Sequence, residues 1–329
     1  MGMQGADDFM TTARGFMKSR IIITAAELDL FTKIDDSCDS AEKIAATTGW
    51  DQRALERVLD CLVTFGLLKK EGRVYSLTEE SGRYSSKRQS SALPMLLHMK
   101  RLWETWSGLT DVVKRGPASE SKPPVPMDMD NRRAFIGAMH AIGRNLSEEI
   151  ASSLDLSGYR RLLDIGGGSG TYTIAFLRRE PGLRAVIFDL ADVIPMAKER
   201  LASEGLLERV ELQPGDFYSD ELPKGCDLAL LSAIIHQNSY KQNVELFAKI
   251  FRALDPGGTL LIRDHIMNAE RTWPPQGALF AINMVVNTRG GDTYTFEEVE
   301  RGLKEAGFAA ARLLRSGEKM DCVVEARKG

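Results

Sequence analysis

The chain has 329 residues, 43 Lys and Arg against 46 Asp and Glu, and a formal net charge of -3. Its 43% hydrophobic and 27% charged content is that of a globular protein and excludes disordered and collagen-like chains. The slightly acidic balance argues against a general nucleic-acid binder, and no run of roughly 18 apolar residues indicates a membrane span.

The N-terminal segment and the cysteines favour a cytoplasmic location. The segment MGMQGADDFM carries two acids and lacks the apolar core of a secretory signal. The cysteines are scattered and form no CxxC pair: Cys38, Cys61, Cys226 and Cys322. Such spacing disfavours a disulfide framework or a structural zinc site and suits a reducing compartment.

The first half of the chain is predicted to be helical with a small β-hairpin. Apolar residues recur at helical spacing over 7–34, a short helix follows the capping residue Ser40, and residues 51–63 form an amphipathic third helix. Residues 67–78 alternate around a Glu-Gly turn, as two short strands do. Three helices followed by a two-stranded wing are the winged-helix pattern.

The third helix does not have the charge that DNA recognition needs. Arg53 and Arg57 lie among Asp51, Glu56 and Asp60, whereas a recognition helix presents a net positive surface to phosphates. The first helix is too apolar to stay exposed on a monomer. We therefore expect this domain to serve dimerisation rather than DNA binding.

The middle of the chain separates two predicted domains. Residues 93–113 form an amphipathic helix rich in Met and Trp, and the Pro- and Asp-rich residues 116–130 are typical of a linker. Helical spacing resumes over 131–154. The predicted boundaries are therefore 1–115 for the helical domain, 116–130 for the linker and 131–329 for the second domain.

A glycine-rich turn opens the second domain. The apolar strand 161–165 runs into GGGSG and then into a helix from Thr171. Glycines allow a sharp turn and let backbone amides approach a ligand closely. Asp189 ends the next strand, roughly 20 residues on, where an acid can bond both hydroxyls of a ribose.

Two features of this turn favour S-adenosylmethionine (SAM) over a dinucleotide. Asp164 precedes the glycines, where a carboxylate would repel a pyrophosphate but suits a cationic amino-acid ligand, directly or through water. Asp216 and Phe217 follow the third strand, where they could bond and flank an adenine ring.

The remaining pattern completes an open α/β sheet. The predicted elements are strands at 226–232, 259–264, 309–316 and 320–327, and helices at 244–254, 276–288 and 295–307. Ending in a hairpin, instead of a final strand–helix unit, is typical of SAM methyltransferase sheets. A site is expected at the carboxyl ends of the strands.

From Phe9 to its end the chain resembles the small-molecule O-methyltransferases that carry an N-terminal winged-helix dimerisation domain. These include plant caffeate and flavonoid enzymes and bacterial enzymes acting on polyketides, phenazines and carotenoids. The similar segments are LLDIGGGSG, IFDL, GDF, ALLSAIIHQNS, LDPGGTLLIRD, FIGAM, MVVNTRGG and TFEEVERGLKEAGF. The resemblance implies a Rossmann-like class I SAM methyltransferase domain, with a mixed seven-stranded sheet and a C-terminal hairpin. It also implies SAM as methyl donor, S-adenosylhomocysteine (SAH) as product, a small aromatic or polycyclic substrate and an intertwined homodimer.

The resemblance also assigns candidate site residues. Those for the cofactor are Asp164, Gly166, Gly168, Gly170, Asp189, Leu190, Asp216, Phe217 and Ser232. Those for the wall of the substrate pocket are Met99, Trp103, Phe135, Met139, Ile142, Met284 and Asn287. Met10 and Phe16 are expected to reach across the dimer, and no metal site is expected, since the acids and histidines lack the spacing of a Mg²⁺ site.

The catalytic prediction rests on His236 and Asp264. His236 follows the fourth strand, where the family has a general base toward a substrate hydroxyl, and Asp264 matches the family's acid at the end of the fifth strand. His265 is a rival, but neighbours in a strand point to opposite faces, so only one of residues 264 and 265 should face the pocket.

Three positions depart from the family pattern and keep alternatives open. Gln237 and Asn238 replace the usual Asp-Trp, and Thr293 stands where plant enzymes have a second acid. The alternatives are C- or N-methylation on the same fold, a SAM-dependent reaction without methyl transfer, and a SAM-sensing DNA-binding regulator.

Overall fold

A computed structural model describes the backbone of residues 6–88, 91–117 and 129–329. It describes the side chains of the same ranges except at 6–7, 129–135, 138, 141 and 142. Most of the predicted linker, 116–130, therefore lies outside the described residues. The chain forms two compact units, Met1–Glu104 and Thr105–Gly329.

The first unit contains a helical layer and a short hairpin. Its elements are α1 (Ala6–Glu27), α2 (Leu30–Asp35), α3 (Ala41–Thr48), α4 (Gln52–Thr64), β1 (Leu68–Glu71), β2 (Val74–Leu77), α5 (Glu79–Gly82) and α6 (Leu93–Trp106). Ser40 and Asp51 cap α3 and α4 by accepting from the backbone N–H groups of Lys43 and Ala54. The core of this unit includes Phe31, which is fully buried.

The prediction of a single helix over 7–34 is wrong, because the structure has two helices there. The chain breaks between α1 and α2 at Asp29, whose φ of 51° is left-handed and incompatible with helix continuation. The Asp29 carboxylate accepts a hydrogen bond from the Thr32 hydroxyl (2.5 Å). The break lets α2 bury Leu30 and Phe31, which helical periodicity alone did not distinguish from α1.

The second unit is built around a seven-stranded mixed sheet. Its elements begin with α7 (Leu109–Arg115), α8 (Met129–Ser153), β3 (Arg161–Ile165), α9 (Thr171–Arg179), β4 (Arg184–Asp189), α10 (Ile194–Ser203), β5 (Val210–Pro214), β6 (Cys226–Ser232) and α11 (Tyr240–Ala253). They continue with β7 (Leu254–Asp264), β8 (Ile266–Met267), α12 (Pro275–Asn287), β9 (Tyr294–Thr295), α13 (Phe296–Glu305), β10 (Ala310–Arg315) and β11 (Cys322–Arg327). The helix α7, assigned by the sequence to the first domain, belongs to this unit. The Trp106 indole beside it donates to Asn283 of α12 (3.0 Å).

The sheet confirms the predicted topology. Its order is β10-β11-β7-β6-β3-β4-β5, with β11 antiparallel to both neighbours and the other pairs parallel. Strand order reverses beside β3, where β4 and β5 continue on one side and β6 and β7 on the other. A crevice outside the carboxyl ends of the strands forms at such a switch point and is the expected ligand site.

Each face of the sheet has its own apolar core. Alternation places Leu162 and Leu230 in the core that α8, α9 and α10 cover, and Leu163 and Leu231 in the core on the opposite face. Thr295 caps α13 in a capping box with Glu298, as the sequence predicts.

The four cysteines are free, with Cys226 and Cys322 buried. Among the described helices, none combines the length and apolar character that crossing a bilayer requires.

Candidate active site

The glycine turn after β3 is tightly packed against Asp164, the acidic residue that precedes it. Gly166 and Gly168 have φ of 68° and 58°, which disfavours a side chain at either position. A Cβ at Gly167 would lie 2.8 Å from the carboxyl carbon of Asp164, so a residue larger than glycine would displace that carboxylate. Gly170 is the N-cap of α9 without a side-chain cap, which leaves N–H groups of the first turn available.

Asp189 ties the glycine turn to the end of β4. One carboxylate oxygen accepts from the Gly168 N–H (2.7 Å) and the other from the Leu190 N–H (2.7 Å). Burial raises the pKa of Asp189, and these two hydrogen bonds partly offset that rise. An ionised carboxylate has further acceptor positions, so Asp189 can still bind a diol.

Asp164 lies beneath the turn rather than in its mouth. It is 1% exposed and accepts from the Thr173 hydroxyl (2.6 Å). Burial raises its pKa to about 6. Thr173, which occupies one oxygen of Asp164, was not predicted from the sequence, and the role of Asp164 toward the cofactor stays a prediction.

Asp216 and Phe217 lie in the turn after β5. The Asp216 carboxylate accepts from the Tyr218 N–H (2.9 Å), which fixes the turn. A Cβ at Gly166 would lie 3.6 Å from Cε1 of Phe217, so this ring lies beside the glycine turn. Ser232, at the end of β6, accepts from Nη1 of Arg263 (3.3 Å).

His236 and Asp264 form a buried pair at the carboxyl ends of β6 and β7. His236 Nδ1 lies 2.9 Å from both carboxylate oxygens of Asp264, which is fully buried. Burial alone would raise the pKa of Asp264, but the charge and hydrogen bond of His236, with the His265 N–H, hold that pKa below its usual value. An ionised carboxylate only accepts, so in the neutral imidazole the proton lies on Nδ1 and the Nε2 lone pair is free.

Phe280 of α12 positions both histidine rings. Its ring meets His236 edge-on at 4.9 Å and His265 at 5.2 Å between centroids. The pKa of His265 is lowered because burial disfavours its charged form. His265 therefore lies near the pair, but its side chain does not contact Asp264 as His236 does.

The residues that replace the family's Asp-Trp anchor the turn that carries His236. Asn238 is fully buried, and its side chain accepts from the Tyr218 hydroxyl (2.5 Å) and donates to Asn243 (3.0 Å). Asn243 in turn donates to the carbonyl of Ile235 (2.8 Å), and Gln237 donates to Tyr218 (3.3 Å). The support of this turn by Gln237, Asn238 and Asn243 is therefore made of neutral amides.

The loop after α12 supports the same turn from another side. The Asp292 N–H donates to the His236 carbonyl (2.9 Å), and a Cβ at Gly291 would lie 2.5 Å from that oxygen. Thr293 is buried and donates to the Gly277 carbonyl (3.3 Å), while the Asp292 carboxylate pairs with Arg271 (3.2 Å). Neither residue supplies a second acid to the imidazole of His236.

The predicted substrate-wall residues fall on three helices. Met284 is buried on α12, Asn287 donates to the Asn283 carbonyl one turn back (2.8 Å), and Met139 is exposed on α8. Phe135 and Ile142 lie on α8 where only the backbone is described. Met99 and Trp103 lie on α6 in the first unit, where Trp103 packs against Phe16 at 6.5 Å between ring centroids.

Sequence reasoning missed Phe280, Tyr218 and Arg263. The pair Gly290-Gly291 was a usable signal, since two glycines after a helix indicate a close backbone approach, here to Ser239 and His236. Among the described residues, no three His, Cys, Asp or Glu side chains come together as a metal site, and the absence of a metal stays a prediction.

Comparison with known proteins adds two family matches. Residues 125–309 match the O-methyltransferase domain, and residues 10–87 match the O-methyltransferase dimerisation domain. The chain is 30% identical to the tetracenomycin polyketide 8-O-methyltransferase TcmO of Streptomyces glaucescens, over 94% of this chain and 93% of that protein. It is 27% identical to the N,N-dimethyltransferase OxyT of Streptomyces rimosus, over 95% of this chain and 91% of that protein.

A solved structure extends the similarity to the whole fold. Human N-acetylserotonin methyltransferase in complex with SAM superposes with a TM-score of 0.80 at 26% identity, covering 100% of both chains.

Proposed function

The chain belongs to the O-methyltransferase family and is a SAM-dependent O-methyltransferase with a family dimerisation domain; from that premise we propose that it methylates a hydroxyl of an aromatic, fused-ring molecule. The pairing of His236 with Asp264 carries this proposal, because it leaves one imidazole nitrogen free to accept a proton. The polyketide relative TcmO and the ring of Phe280 beside His236 support an aromatic acceptor.

The residues of the glycine turn fit SAM. Asp189 would accept from the ribose hydroxyls, Asp216 and Phe217 would flank the adenine, and the N–H groups at the start of α9 would face the amino-acid end. Apart from its chain neighbours, no described atom lies within 4 Å of a Cβ placed at Gly168, so a ligand can approach the backbone closely there. SAM supplies the electrophilic methyl group when bound.

His236 would act as general base through Nε2, which makes no hydrogen bond with any described residue. Asp264 holds the proton on Nδ1 and stabilises the imidazolium that forms when Nε2 takes the hydroxyl proton. The His236 side chain is only 12% exposed, so little water can compete with the substrate hydroxyl for hydrogen bonding to Nε2. Phe280 fixes the ring plane, and the Asn238 network fixes the backbone of the turn.

N-methylation is the second candidate, and OxyT is the observation that favours it. An amine nucleophile is neutral and needs no base before it attacks. A charged Asp264 held against His236 has more to contribute to a hydroxyl acceptor, which must lose its proton, and for this reason we place O-methylation first.

We also propose a homodimer and no nucleic-acid partner. The dimerisation match begins within α1, the helix on which Phe9 and Phe16 are 59% and 52% exposed in a single chain. On α4, Arg57 pairs with Glu56 (3.2 Å) and Asp60 (3.0 Å), which neutralises its attraction for phosphate. The four free cysteines support a reducing, cytoplasmic location.

Methyl transfer from labelled SAM to phenols, naphthols, hydroxyanthraquinones and aromatic amines tests the proposal. We expect product only with hydroxyl acceptors, and a loss of about 10²-fold or more in the His236→Asn variant. His265→Asn is the matched control and should retain most of the rate. Equal losses in both variants, or transfer to amines alone, would refute the assignment.

A further inference from the structure

Arg263 is a cation placed at the carboxyl edge of the sheet. It is the next-to-last residue of β7 and pairs in register with Ser232 of β6. Leu261 and Leu230, two residues before them, belong to the core that α8 and α9 cover. Alternation therefore points Arg263 and Ser232 toward the α9 side of the sheet, the side on which Asp164 meets Thr173.

The Arg263 guanidinium forms no ion pair with a described carboxylate, and part of its hydrogen-bonding capacity is unused. Its Nη1 donates to Ser232 (3.3 Å) and its centre lies 5.1 Å from the ring centroid of Tyr172. Nε is buried without a hydrogen-bond partner among the described residues, and none of the ion pairs that those residues form includes Arg263. The charge of the neighbouring Asp264 interacts with that of Arg263, but the Asp264 oxygens are engaged by His236 and by the His265 N–H. The guanidinium therefore keeps hydrogen-bonding capacity for a further anion.

Tyr172 supplies a second unused donor at the same place. It lies in the first turn of α9, directly after the glycine turn, and its buried hydroxyl, though close to Ser232, meets no partner in good hydrogen-bond geometry among the described residues. Burial raises the pKa of Tyr172, so its hydroxyl stays protonated and can donate. Asp321, whose charge also reaches Tyr172, is engaged by Arg315 (3.2 Å).

We propose that Arg263 and Tyr172 form the binding site for the carboxylate of the amino-acid end of SAM. A carboxylate matches a guanidinium edge and a hydroxyl donor in charge and in hydrogen-bonding capacity. The location fits that end of the ligand, because Tyr172 lies in the first turn of the helix that follows the glycine turn and Ser232 ends the strand beside β3. The inference rests on SAM as cofactor and goes beyond it by assigning these two residues.

A carboxylate could also come from an aromatic acid serving as methyl acceptor. The observations favour the cofactor, since Tyr172 directly follows the glycine turn and its ring lies 5.1 Å from the guanidinium centre of Arg263. The two sources differ in which ligand loses affinity when the guanidinium is removed, so binding measurements distinguish them.

The test compares SAH with its decarboxylated analogue, which keeps the adenosine, the thioether and the amine. Isothermal titration calorimetry on the full chain would measure both ligands with wild type, Arg263→Gln and Tyr172→Phe. Arg301→Gln is the matched control, because Arg301 also covers a tyrosine ring, that of Tyr240 at 4.7 Å, on an exposed helix. Circular dichroism checks that each variant is folded.

We expect Arg263→Gln to weaken SAH binding by about 10- to 100-fold and Tyr172→Phe by about 3- to 10-fold. Neither should change the affinity for the decarboxylated analogue, and Arg301→Gln should change neither ligand. Equal losses for both ligands, or unchanged SAH binding, would overturn the assignment. Unchanged SAH binding with weakened binding of an aromatic acid would place the acceptor's carboxylate there instead. Since the analogue reports cofactor binding separately, failure here is distinguishable from failure of the methyltransferase assignment.

Discussion

Replacing Asp264 by Asn should remove the basicity of His236 while leaving cofactor binding nearly unchanged. Asp264 Oδ1 accepts from both the His265 N–H (2.8 Å) and His236 Nδ1 (2.9 Å), while Oδ2 contacts Nδ1 alone (2.9 Å). In Asp264→Asn the single oxygen is held by the backbone N–H, so the amide NH₂ takes the Oδ2 position. That group favours an imidazole that accepts at Nδ1 and carries its proton on Nε2, the nitrogen needed as base.

The magnitude follows from two losses. First, the carboxylate no longer stabilises the imidazolium, and a hydrogen bond to a charged group contributes about 1.5–3 kcal/mol. Second, the tautomer with a free Nε2 becomes the minor one. Together these predict a fall in the single-turnover rate of about 10²- to 10⁴-fold. The affinity for SAH should remain within about 3-fold, since no cofactor contact is assigned to Asp264.

The assay is single-turnover methyl transfer to a phenol between pH 6 and pH 10, followed by mass spectrometry. The defect should shrink as the pH approaches the phenol's own pKa, near 10 for an ordinary phenol, because a phenolate needs no base. Asp264→Glu keeps the charge and is the matched control. A loss under about 5-fold, or a loss equal at every pH, would refute the general-base reasoning.

Three further predictions address the cofactor turn, its buried acid and the dimer. Asp189→Asn should weaken SAH binding by about 10-fold or more in calorimetry, since the ribose acceptor loses its charge while the Gly168 contact can persist; unchanged affinity would contradict the assigned ribose site. Asp164→Asn should raise the free energy of unfolding at pH 7 by up to about 3 kcal/mol. The pKa of Asp164 is about 6 in the folded protein and 3.8 without burial, so wild type loses stability as the pH rises between those values. Urea titrations should show the gain at pH 7 and not at pH 4, and a gain independent of pH would contradict this. Phe9→Ser combined with Phe16→Ser should convert a dimer to monomers in light scattering, as each exposed ring contributes about 1.5–3 kcal/mol when buried; a monomeric wild type would contradict the dimer.

The sheet and its cofactor turn could be predicted because local sequence determines them. The alternation of strands, the glycines of the turn and Asp189 are each read from a few consecutive residues, and the structure brings them together at the switch point. The C-terminal hairpin follows from two apolar runs separated by a short polar loop.

Contacts between distant segments could not be predicted in this way. Tyr218 meets Asn238 across 20 residues, and Tyr172 meets Arg263 across the switch point of the sheet. These residue types form no recognisable motif, since arginine is usually exposed and tyrosine is intermediate in burial. The break at Asp29 was missed because a left-handed residue leaves no mark in hydrophobic spacing.

Transfer of the methyl group to oxygen is tested by identifying the acceptor atom that carries the transferred methyl. Wild type would be incubated with ¹³C-methyl SAM and a matched pair of acceptors, a naphthol and the corresponding naphthylamine, and the labelled atom identified by NMR. We expect an O-methyl product from the naphthol and little product from the amine. An N-methyl or C-methyl product, or firm SAM binding with no transfer to either acceptor class, would contradict it.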